Sequence, residues 1–279
     1  MGVVKTKNRG VISQYRHIRS IFPTTVMSLL SDVKQYRRAN KAASLFDAHF
    51  TPVIANTEAL RQAVFKTRYD VYCKEMKTEA PNVSEMEIDC FDKHSLHCLI
   101  QHKPSGVYAG TVRIIKPDFP NETLAIEKNN CIPTDDPALV LSPANFRRDQ
   151  IGEISRLAIL REFRHRYIGV EEHPYLGRDN KAKIACSMLP VALYLSAAAL
   201  AECSNRNHIY VMIEPRLAKS MARAGVIFGQ IGPVIDYHGK RAPYYINLGA
   251  FKKEVKPSFK KLHYRLRDVI KEQVEIAPR

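Results

Sequence analysis

Apolar residues near the start of this chain recur every three or four positions, as in an amphipathic helix. Ile12, Tyr15, Ile18 and Phe22 follow this spacing, and the same pattern resumes after Pro23. The polar positions between them are rich in arginine and lysine. Such a segment either packs on the rest of the protein or lies on a membrane surface. We therefore expect residues 1–45 to form a basic, amphipathic helical extension.

In the rest of the chain, apolar runs typical of strands alternate with segments that have the helical spacing. Strands are predicted at 49–54, 94–102, 107–115, 153–160, 208–213, 226–229, 234–237 and 244–248. Helices are predicted at 58–73, 179–203, 216–224 and 257–274. The turn Pro104-Ser105-Gly106 joins two of the strands into a hairpin. This order predicts a mixed α/β (α+β) domain over 46–250, with helices on the faces of one sheet, followed by a basic C-terminal helix over 251–279 packed on it.

Composition limits the class of protein. Hydrophobic residues make up 45% and charged residues 25% of the 279 positions, which is typical of a globular domain and argues against disorder. The chain has no apolar run near the ~20 residues that span a bilayer, and no signal-peptide pattern at its start. The six cysteines have no CxxC pair and no metal-ligand spacing. These features favour a cytoplasmic protein with reduced thiols and no metal.

The formal net charge of +15 is distributed unevenly. Residues 1–45 hold nine Lys/Arg and one acidic residue, and residues 250–279 hold nine Lys/Arg and four acidic residues. The region between them, with 25 basic and 23 acidic residues, is almost neutral. Because nucleic-acid binders present a basic stripe on a recognisable motif, and no such motif is found here, we do not expect nucleic acid as a partner.

Two motifs in the first half of the domain carry charged residues at notable spacing. Leu60-Arg61-x-x-x-Phe65-x-x-Arg68-Tyr69-x-Val71-Tyr72 places Arg61, Phe65 and Arg68 on one helix face. Glu87-Ile88-Asp89-Cys90-Phe91-Asp92 clusters three carboxylates in a loop. Taken singly, the first is typical of an ordinary amphipathic helix and the second of a solvated acidic turn.

Two further motifs lie on predicted strands. Gly110-Thr111-Val112-Arg113-Ile114-Ile115 places Arg113 in an apolar strand, where its guanidinium needs a carboxylate partner. In Glu153-Ile154-Ser155-Arg156-Leu157-Ala158, strand alternation predicts Glu153 and Ser155 on one face and Arg156 on the other.

These four motifs, in this order, resemble the autoinducer-synthase branch of the GNAT-type acyltransferases. Within that branch the sequence is most similar to the N-acyl amino acid synthases and to the acyltransferases associated with PEP-CTERM/exosortase systems. The blocks Val211-Met212-Ile213-Glu214-Pro215-Arg216 and Ile231–Tyr244 resemble the latter group. The likeness runs from about Leu45 to Tyr245. It implies a GNAT-like fold, with a mostly antiparallel central sheet whose central strands splay apart.

The resemblance implies a bacterial enzyme that transfers a fatty acyl group from a thioester on acyl carrier protein to the amine of an amino acid. Glu153 would be the base, and strand N–H groups near Leu157 would stabilise the oxyanion. Arg113, Ser155 and Arg156 complete the predicted catalytic group. In the acceptor site, Arg156 is expected to brace the acidic loop. The residues expected to form that site are Arg61, Phe65, Asp89 and Asp92.

The acyl donor is expected beside the end of the fourth strand. Leu157, Ile159, Arg161, Arg164 and Arg166 would bind the phosphopantetheine, which enters attached to the carrier protein, so no other cofactor is implied. The helix at 179–203 would line an acyl tunnel. The predicted tunnel residues are Met188, Leu189, Ala192 and Leu195.

Three alternatives accompany this interpretation. Homoserine-lactone synthases carry a tryptophan at the end of the first motif, where Val71 and Tyr72 stand in this tryptophan-free chain. Synthesis of acyl-homoserine lactone from S-adenosylmethionine is therefore ranked second. A non-catalytic relative that binds an acyl ligand or a membrane is the third reading, and a nucleic-acid binder that uses the basic ends the last. Because acyl carrier proteins are acidic, the positive charge favours that partner, with peripheral membrane contact as second choice.

Overall fold

The structure, a computed structural model, describes residues 40–132, 140–164, 168, 173–223, 225–237 and 239–276. A helix, α1, covers residues 40–49. The helices predicted before residue 40, and the role proposed for that extension, lie outside the described residues and stay predictions.

The core of the fold is a sheet of eight strands. In chain order these are β1 (Phe50–Ile54), β2 (Ser95–His102), β3 (Tyr108–Ile115), β4 (Ile151–Ile159), β5 (His208–Ile213), β6 (Gly229–Gln230), β7 (Ile235–Asp236) and β8 (Lys240–Asn247). Their spatial order is β1-β2-β3-β4-β5-β8-β6, with β7 paired to β8. The β4–β5 pair is parallel and the other pairs are antiparallel. The predicted mixed, mostly antiparallel sheet is confirmed.

The two central strands separate along their length. Pairing between β4 and β5 begins at Ile151 opposite His208 and ends at Ile154 opposite Val211, although β4 continues to Ile159. Next to this point, Arg156 has a φ of 51°, in the left-handed region, and the β3–β4 register is irregular. A bulge of this kind bends a strand and increases its twist, so β4 turns away from β5. The splayed centre of the sheet is confirmed, and it creates space between the strands.

A buried helix closes one face of the sheet. Helix α5 (Leu189–Cys203) is apolar all round and packs between the sheet and the last helix, α8 (Pro257–Ile276), whose Leu262, Leu266 and Ile270 are buried. A single helix was predicted over 179–203, and this is wrong. The segment forms α4 (Asn180–Ser187) and α5, bent by 50°. Pro190, at the start of α5, has no N–H to continue the hydrogen bonds of α4.

The remaining helices connect the strands. They are α2 (Glu58–Tyr69), which continues into a wider turn at Asp70–Glu75, α3 (Ala125–Lys128), α6 (Pro215–Ala222) and α7 (Leu248–Glu254), with a short 3₁₀ turn at Cys90–His94. Within the described residues no single helix is long and apolar enough to cross a membrane. The pair α4 and α5 reaches that length and hydropathy only when taken together across its bend. The six cysteines form no disulfide, and four of them are buried.

Candidate active site

A cleft of about 260 Å³ opens beside the point where β4 and β5 separate. It brings together residues from the turn that follows α2, the acidic loop, β3, β4 and β8, which are up to 169 positions apart in the sequence, from Tyr72 to Arg241. Five predicted site residues line it, namely Asp89, Arg113, Glu153, Ser155 and Arg156. A second cavity of about 150 Å³ lies between the separated strands and shares Tyr72, Ser155, Arg156 and Arg241 with the cleft.

Glu153 is a buried carboxyl group on the cleft wall, with 2% of its surface exposed. Its Oε2 accepts a hydrogen bond of 3.0 Å from the backbone N–H of Ile126, at the start of α3. Burial disfavours the charged form and raises the pKa of Glu153 to about 7. A carboxyl group with this pKa gains and releases a proton near neutral pH, as a general acid–base requires.

Arg113 is held by the acidic loop. Its Nη1 donates to Asp89 Oδ1 at 2.6 Å and to Asp92 Oδ1 at 2.7 Å, and its Nε donates to Ser155 Oγ at 3.0 Å. The guanidinium therefore has the carboxylate partners that its position in an apolar strand required. Ser155, predicted as a catalytic residue, accepts this hydrogen bond and lines the cleft, and its catalytic role stays a prediction.

Arg68 is the second fully buried arginine of this network. It donates to Glu87 and, through Nη1 and Nη2, to Asp92 at 2.7 and 3.2 Å. Burial opposes ionisation of Asp92, but the hydrogen bonds and charges of Arg68 and Arg113 outweigh it and hold the pKa of Asp92 well below its usual range. Asp92 is thus a structural anion, and the described wall of the cleft does not include it.

Two residues of the first motif lie away from the cleft, which corrects the prediction that they bind the acceptor. Arg61 is partly exposed and pairs with Glu58 on the surface of α2, at 3.1 Å. Arg68, two helical turns further along the same face, takes the place predicted for Arg61, because the end of α2 is the part next to the acidic loop. Phe65 packs behind the network, 5.4 Å from the Arg68 guanidinium, in a small core with Val64 and Leu99.

Arg156 pairs with three carboxylates, two of which, Glu79 and Asp89, line the cleft. Its Nη2 lies 3.0 Å from Glu87, 3.2 Å from Asp89 and 3.4 Å from Glu79. Arg156 thus braces the acidic loop through Glu87 and Asp89, whereas Asp92, also expected as its partner, pairs with Arg68 and Arg113. However, strand alternation predicted Arg156 on the face opposite Glu153, and this is wrong. The left-handed backbone at Arg156 breaks the alternation, so that both side chains line the same cleft.

The predicted donor residues lie around the end of β4. Leu157 lines the cavity between the strands, and its carbonyl accepts a 2.8 Å hydrogen bond from the Tyr72 hydroxyl. Ile159 is buried in the core, and its carbonyl accepts a hydrogen bond from Arg164, which also pairs with Glu75 at 2.7 Å. Arg161 is exposed, and Arg166 lies outside the described residues. Binding of phosphopantetheine by these residues stays a prediction.

An apolar cavity of about 20 Å³ lies under the separated strands, and Leu195 is the predicted tunnel residue that lines it. Leu189 and Ala192 are fully buried in the main core, and Met188 packs on that core partly exposed. The acyl tunnel also stays a prediction. Its position would be set by Leu195 together with Tyr194, Phe228 and Phe251, which line the same cavity.

Several cleft residues were assigned no role from the sequence. Tyr237 and Arg241, from the β7–β8 hairpin, line the cleft together with Asn129 and Tyr72. The available signal was the block Ile231–Tyr244, which carried part of the family resemblance. Its place at the site follows from the pairing of β8 with β5. Within the described part of the chain, no group of three or more His, Cys, Asp or Glu side chains is arranged to hold a metal ion.

Known proteins are similar to this chain in part of its sequence and in its fold. The family model of the acetyltransferase (GNAT) domain matches residues 67–170, which include the acidic loop, β3 and β4. No curated protein matches the sequence.

Among solved structures, the fold is similar to the AHL synthase LasI, with a TM-score of 0.52 and 20% identity over 75% of this chain and 97% of LasI. It is also similar to BjaI, a CoA-dependent acyl-homoserine lactone synthase solved with MTA, with a TM-score of 0.51 and 14% identity over 78% and 89% of the two chains. The N-acyl amino acid synthase FeeM, from uncultured soil microbes, matches with a TM-score of 0.46 and 14% identity over 75% and 97%. Residues 67–170 therefore match the acetyltransferase (GNAT) domain, and the fold of the chain is similar to that of the acyl-homoserine-lactone synthases.

Proposed function

We propose that this acyltransferase moves a fatty acyl group from an acyl carrier protein thioester to the amine of an amino acid, giving an N-acyl amino acid. The observation that carries the proposal is Glu153, a buried carboxyl group with a pKa of about 7 on the wall of a cleft beside the splayed strands. A base of this kind is suited to an amine acceptor, which arrives protonated at neutral pH and must lose a proton before it attacks.

The proposed reaction follows from this arrangement. The ammonium group of the acceptor gives a proton to the Glu153 carboxylate, and its nitrogen attacks the thioester carbonyl carbon. As the C–N bond forms and the C–S bond breaks, Glu153 gives its proton to the departing thiolate, and the nitrogen loses its second proton to the Glu153 carboxylate, which then releases it to solvent. Beyond Ile154 none of the described strands pairs with the β5 side of β4, so backbone N–H groups there are available to the developing oxyanion.

The arginine–carboxylate network supports this chemistry by holding the cleft wall in place. Arg113, in β3, and Arg156, in β4, hold the acidic loop against these strands through ion pairs to Asp89. Arg113 also donates a hydrogen bond to Ser155 of β4. Because a misplaced base loses most of its effect on the reaction rate, we infer that these arginines position the acceptor site and do not exchange protons.

Acyl-homoserine-lactone synthesis from S-adenosylmethionine is the second candidate. The fold similarity to LasI and BjaI, both described as acyl-homoserine lactone synthases, favours it. Against it, Tyr72 and not tryptophan stands at the end of the first motif and lines the cleft.

Product analysis separates the two candidates. The protein is incubated with carrier-bound acyl thioesters of several chain lengths, a mixture of the amino acids and, separately, S-adenosylmethionine, and the products are identified by mass spectrometry. We expect N-acyl amino acids from the wild type and a rate at least ~100-fold lower from Glu153→Gln. Release of methylthioadenosine together with an acyl-homoserine lactone would instead establish the second candidate. An equal rate from Glu153→Gln would remove Glu153 as the base.

A further inference from the structure

An amino acid bound in the cleft brings a carboxylate as well as an amine. A carboxylate that leaves water needs a cation or several hydrogen-bond donors, because an unpaired buried charge is strongly unfavourable. The inference that follows rests on the proposed function and asks which residue of this chain meets that need.

Three arginines line the cleft among the residues that the structure describes, and two of them are already paired. Arg113 is bonded to the carboxylates of Asp89 and Asp92, and Arg156 lies within 3.4 Å of Glu79, Glu87 and Asp89. The positive charge of each is therefore already paired with carboxylates of the protein.

Arg241 differs from the other two. Within the described residues it forms no ion pair and no hydrogen bond through its side chain, although it is half-buried at the cleft. Of the carboxylates that share the cleft with it, Glu79 and Asp89 are paired with Arg156, and Glu153 is the proposed base. Of the described arginines that line this cleft, Arg241 is therefore the one whose charge is not paired with a carboxylate.

The position of Arg241 also suits an amino acid. It lies in β8 opposite Ile235 of β7, and it lines both the cleft and the cavity between β4 and β5. The thioester is proposed to enter at those separated strands. A carboxylate held at this boundary keeps the amine of the same molecule, one carbon away, in the space that Glu153 and the thioester share. Glu214 lines the second cavity as well, but it is exposed and is not paired with Arg241.

We propose that Arg241 binds the carboxylate of the acceptor and so restricts the enzyme to amino acids with a free carboxyl group. A guanidinium is planar and presents parallel N–H donors that match the two oxygens of a carboxylate. Amines without a carboxylate, and amino acids whose carboxyl group is blocked as an amide, would lose this contact and bind weakly.

The test compares an acceptor amino acid with its carboxamide in steady-state assays of the full chain, using one acyl carrier protein thioester as donor. The variant Arg241→Met removes the charge and keeps much of the bulk, while Arg241→Lys keeps the charge. Lys240→Met is the matched control, because Lys240 is the preceding residue of β8, is exposed and lies outside the cleft wall.

For Arg241→Met we expect the KM for the free amino acid to rise about 10- to 100-fold, the range for a lost charge-assisted hydrogen-bond pair, with kcat changed much less. The KM for the carboxamide and for the thioester should stay unchanged, so that the preference of the wild type for the free acid disappears. Arg241→Lys should retain part of this preference, and Lys240→Met all of it.

Two results would overturn the inference while leaving the proposed function intact. One is an Arg241→Met variant that keeps the KM and the preference of the wild type, and the other is a rise in the KM of the thioester alone. If the wild type acylates no amino acid at all, the proposed function fails and the inference fails with it. Thermal unfolding of each variant shows whether it is folded. If Arg241→Met does not fold, the ratio of the KM values for the free acid and the carboxamide, measured with Arg241→Lys, decides.

Discussion

Glu153 is the residue whose surroundings change its chemistry most directly. Removal from water raises the pKa of its carboxyl group from 4.5 to about 7, while the hydrogen bond from Ile126 and the charge of Arg113 partly oppose that change. A group whose pKa is raised in the folded protein stabilises the fold fully at low pH. That contribution is lost as pH rises through the folded-state pKa.

We therefore predict that Glu153→Gln changes the pH dependence of stability. Above pH 7 the wild type must keep a buried negative charge, at a cost of about 3 kcal/mol relative to its protonated form, calculated from the difference between the two pKa values. Glutamine stays neutral at every pH. Glu153→Gln should therefore unfold at a higher temperature than the wild type at pH 8, and the difference should shrink towards zero near pH 4.5. Calorimetry at several pH values measures this, and a constant difference from pH 4.5 to 8 would contradict it.

Arg68 and Arg61 show how burial sets the importance of an ion pair. Arg68 is fully buried between Glu87 and Asp92, and its loss would leave two carboxylates without their main partner. Arg61 makes an exposed pair with Glu58 on the same helix.

From this contrast we predict that Arg68→Met lowers the free energy of unfolding by about 3–5 kcal/mol, the range for breaking one partner of a buried pair. The matched variant Arg61→Met should change it by less than about 1 kcal/mol, because exposed pairs contribute little. Denaturant unfolding followed by circular dichroism compares the two. Equal effects of the two substitutions would show that the buried network does not stabilise the fold.

At the scale of the elements, close packing of β3 against β4 sets the position of β4 where it separates from β5. Gly110, in β3, comes so close to β4 that an added Cβ would lie 2.6 Å from the backbone oxygen of Ala158. A Cβ at Gly152, in β4, would meet the flexible side chain of Ile114 at 3.1 Å and the backbone oxygen of Ile115 only at 3.3 Å. A backbone oxygen in a sheet yields much less readily than the end of a side chain.

Gly110→Ala is accordingly predicted to destabilise the protein by about 1–3 kcal/mol, as overpacking does, and to lower kcat by shifting β4 next to the cleft. Gly152→Ala should cost less and leave kcat close to that of the wild type. Thermal unfolding and steady-state kinetics of both variants check this. If Gly152→Ala is the more damaging change, the close approach at Gly110 is not what sets the position of β4.

At the scale of the whole molecule, the structure shows how the charge of the C-terminal region is used. Some of its basic residues are paired, such as Arg265 with Asp47 and Arg267 with Asp268. By contrast, Arg216 is exposed on α6 directly after β5, beside the cavity between the strands, and forms no ion pair with the described residues. An acidic carrier protein that delivers its thioester to that cavity would meet Arg216.

For docking at this face, Arg216→Glu should raise the KM for a carrier-bound thioester by about 10-fold, near the low end of electrostatic steering, with an effect that falls as salt increases. The KM for a pantetheine thioester without the carrier protein should not change. Lys253→Glu, on the exposed side of α7, is the matched control. If Lys253→Glu raises the KM and Arg216→Glu does not, the carrier protein docks at the basic C-terminal region.

The sequence by itself determined most of the strands and helices, although the strands predicted at 226–229 and 244–248 lie at Gly229–Gln230 and Lys240–Asn247. It also indicated the motif residues that share one cleft, namely Asp89, Arg113, Glu153, Ser155 and Arg156. This was possible because hydrophobic periodicity and local turn chemistry act over short stretches of chain. The bend between α4 and α5 was also readable in principle, since it occurs at Pro190. The sequence predicted Arg61 at the acceptor site, whereas the structure places Arg68, two helical turns further on, in the buried network. Helical periodicity cannot distinguish two residues on the same face.

Only the tertiary structure decided which groups are buried, paired or left without a partner. The raised pKa of Glu153 follows from its burial near α3, and the irregular backbone at Arg156 brings Arg156 to the same cleft. Arg241 reaches that cleft because β8 pairs with β5, about 30 residues earlier in the chain. These properties depend on contacts between distant segments, and local sequence patterns carry no information about such contacts.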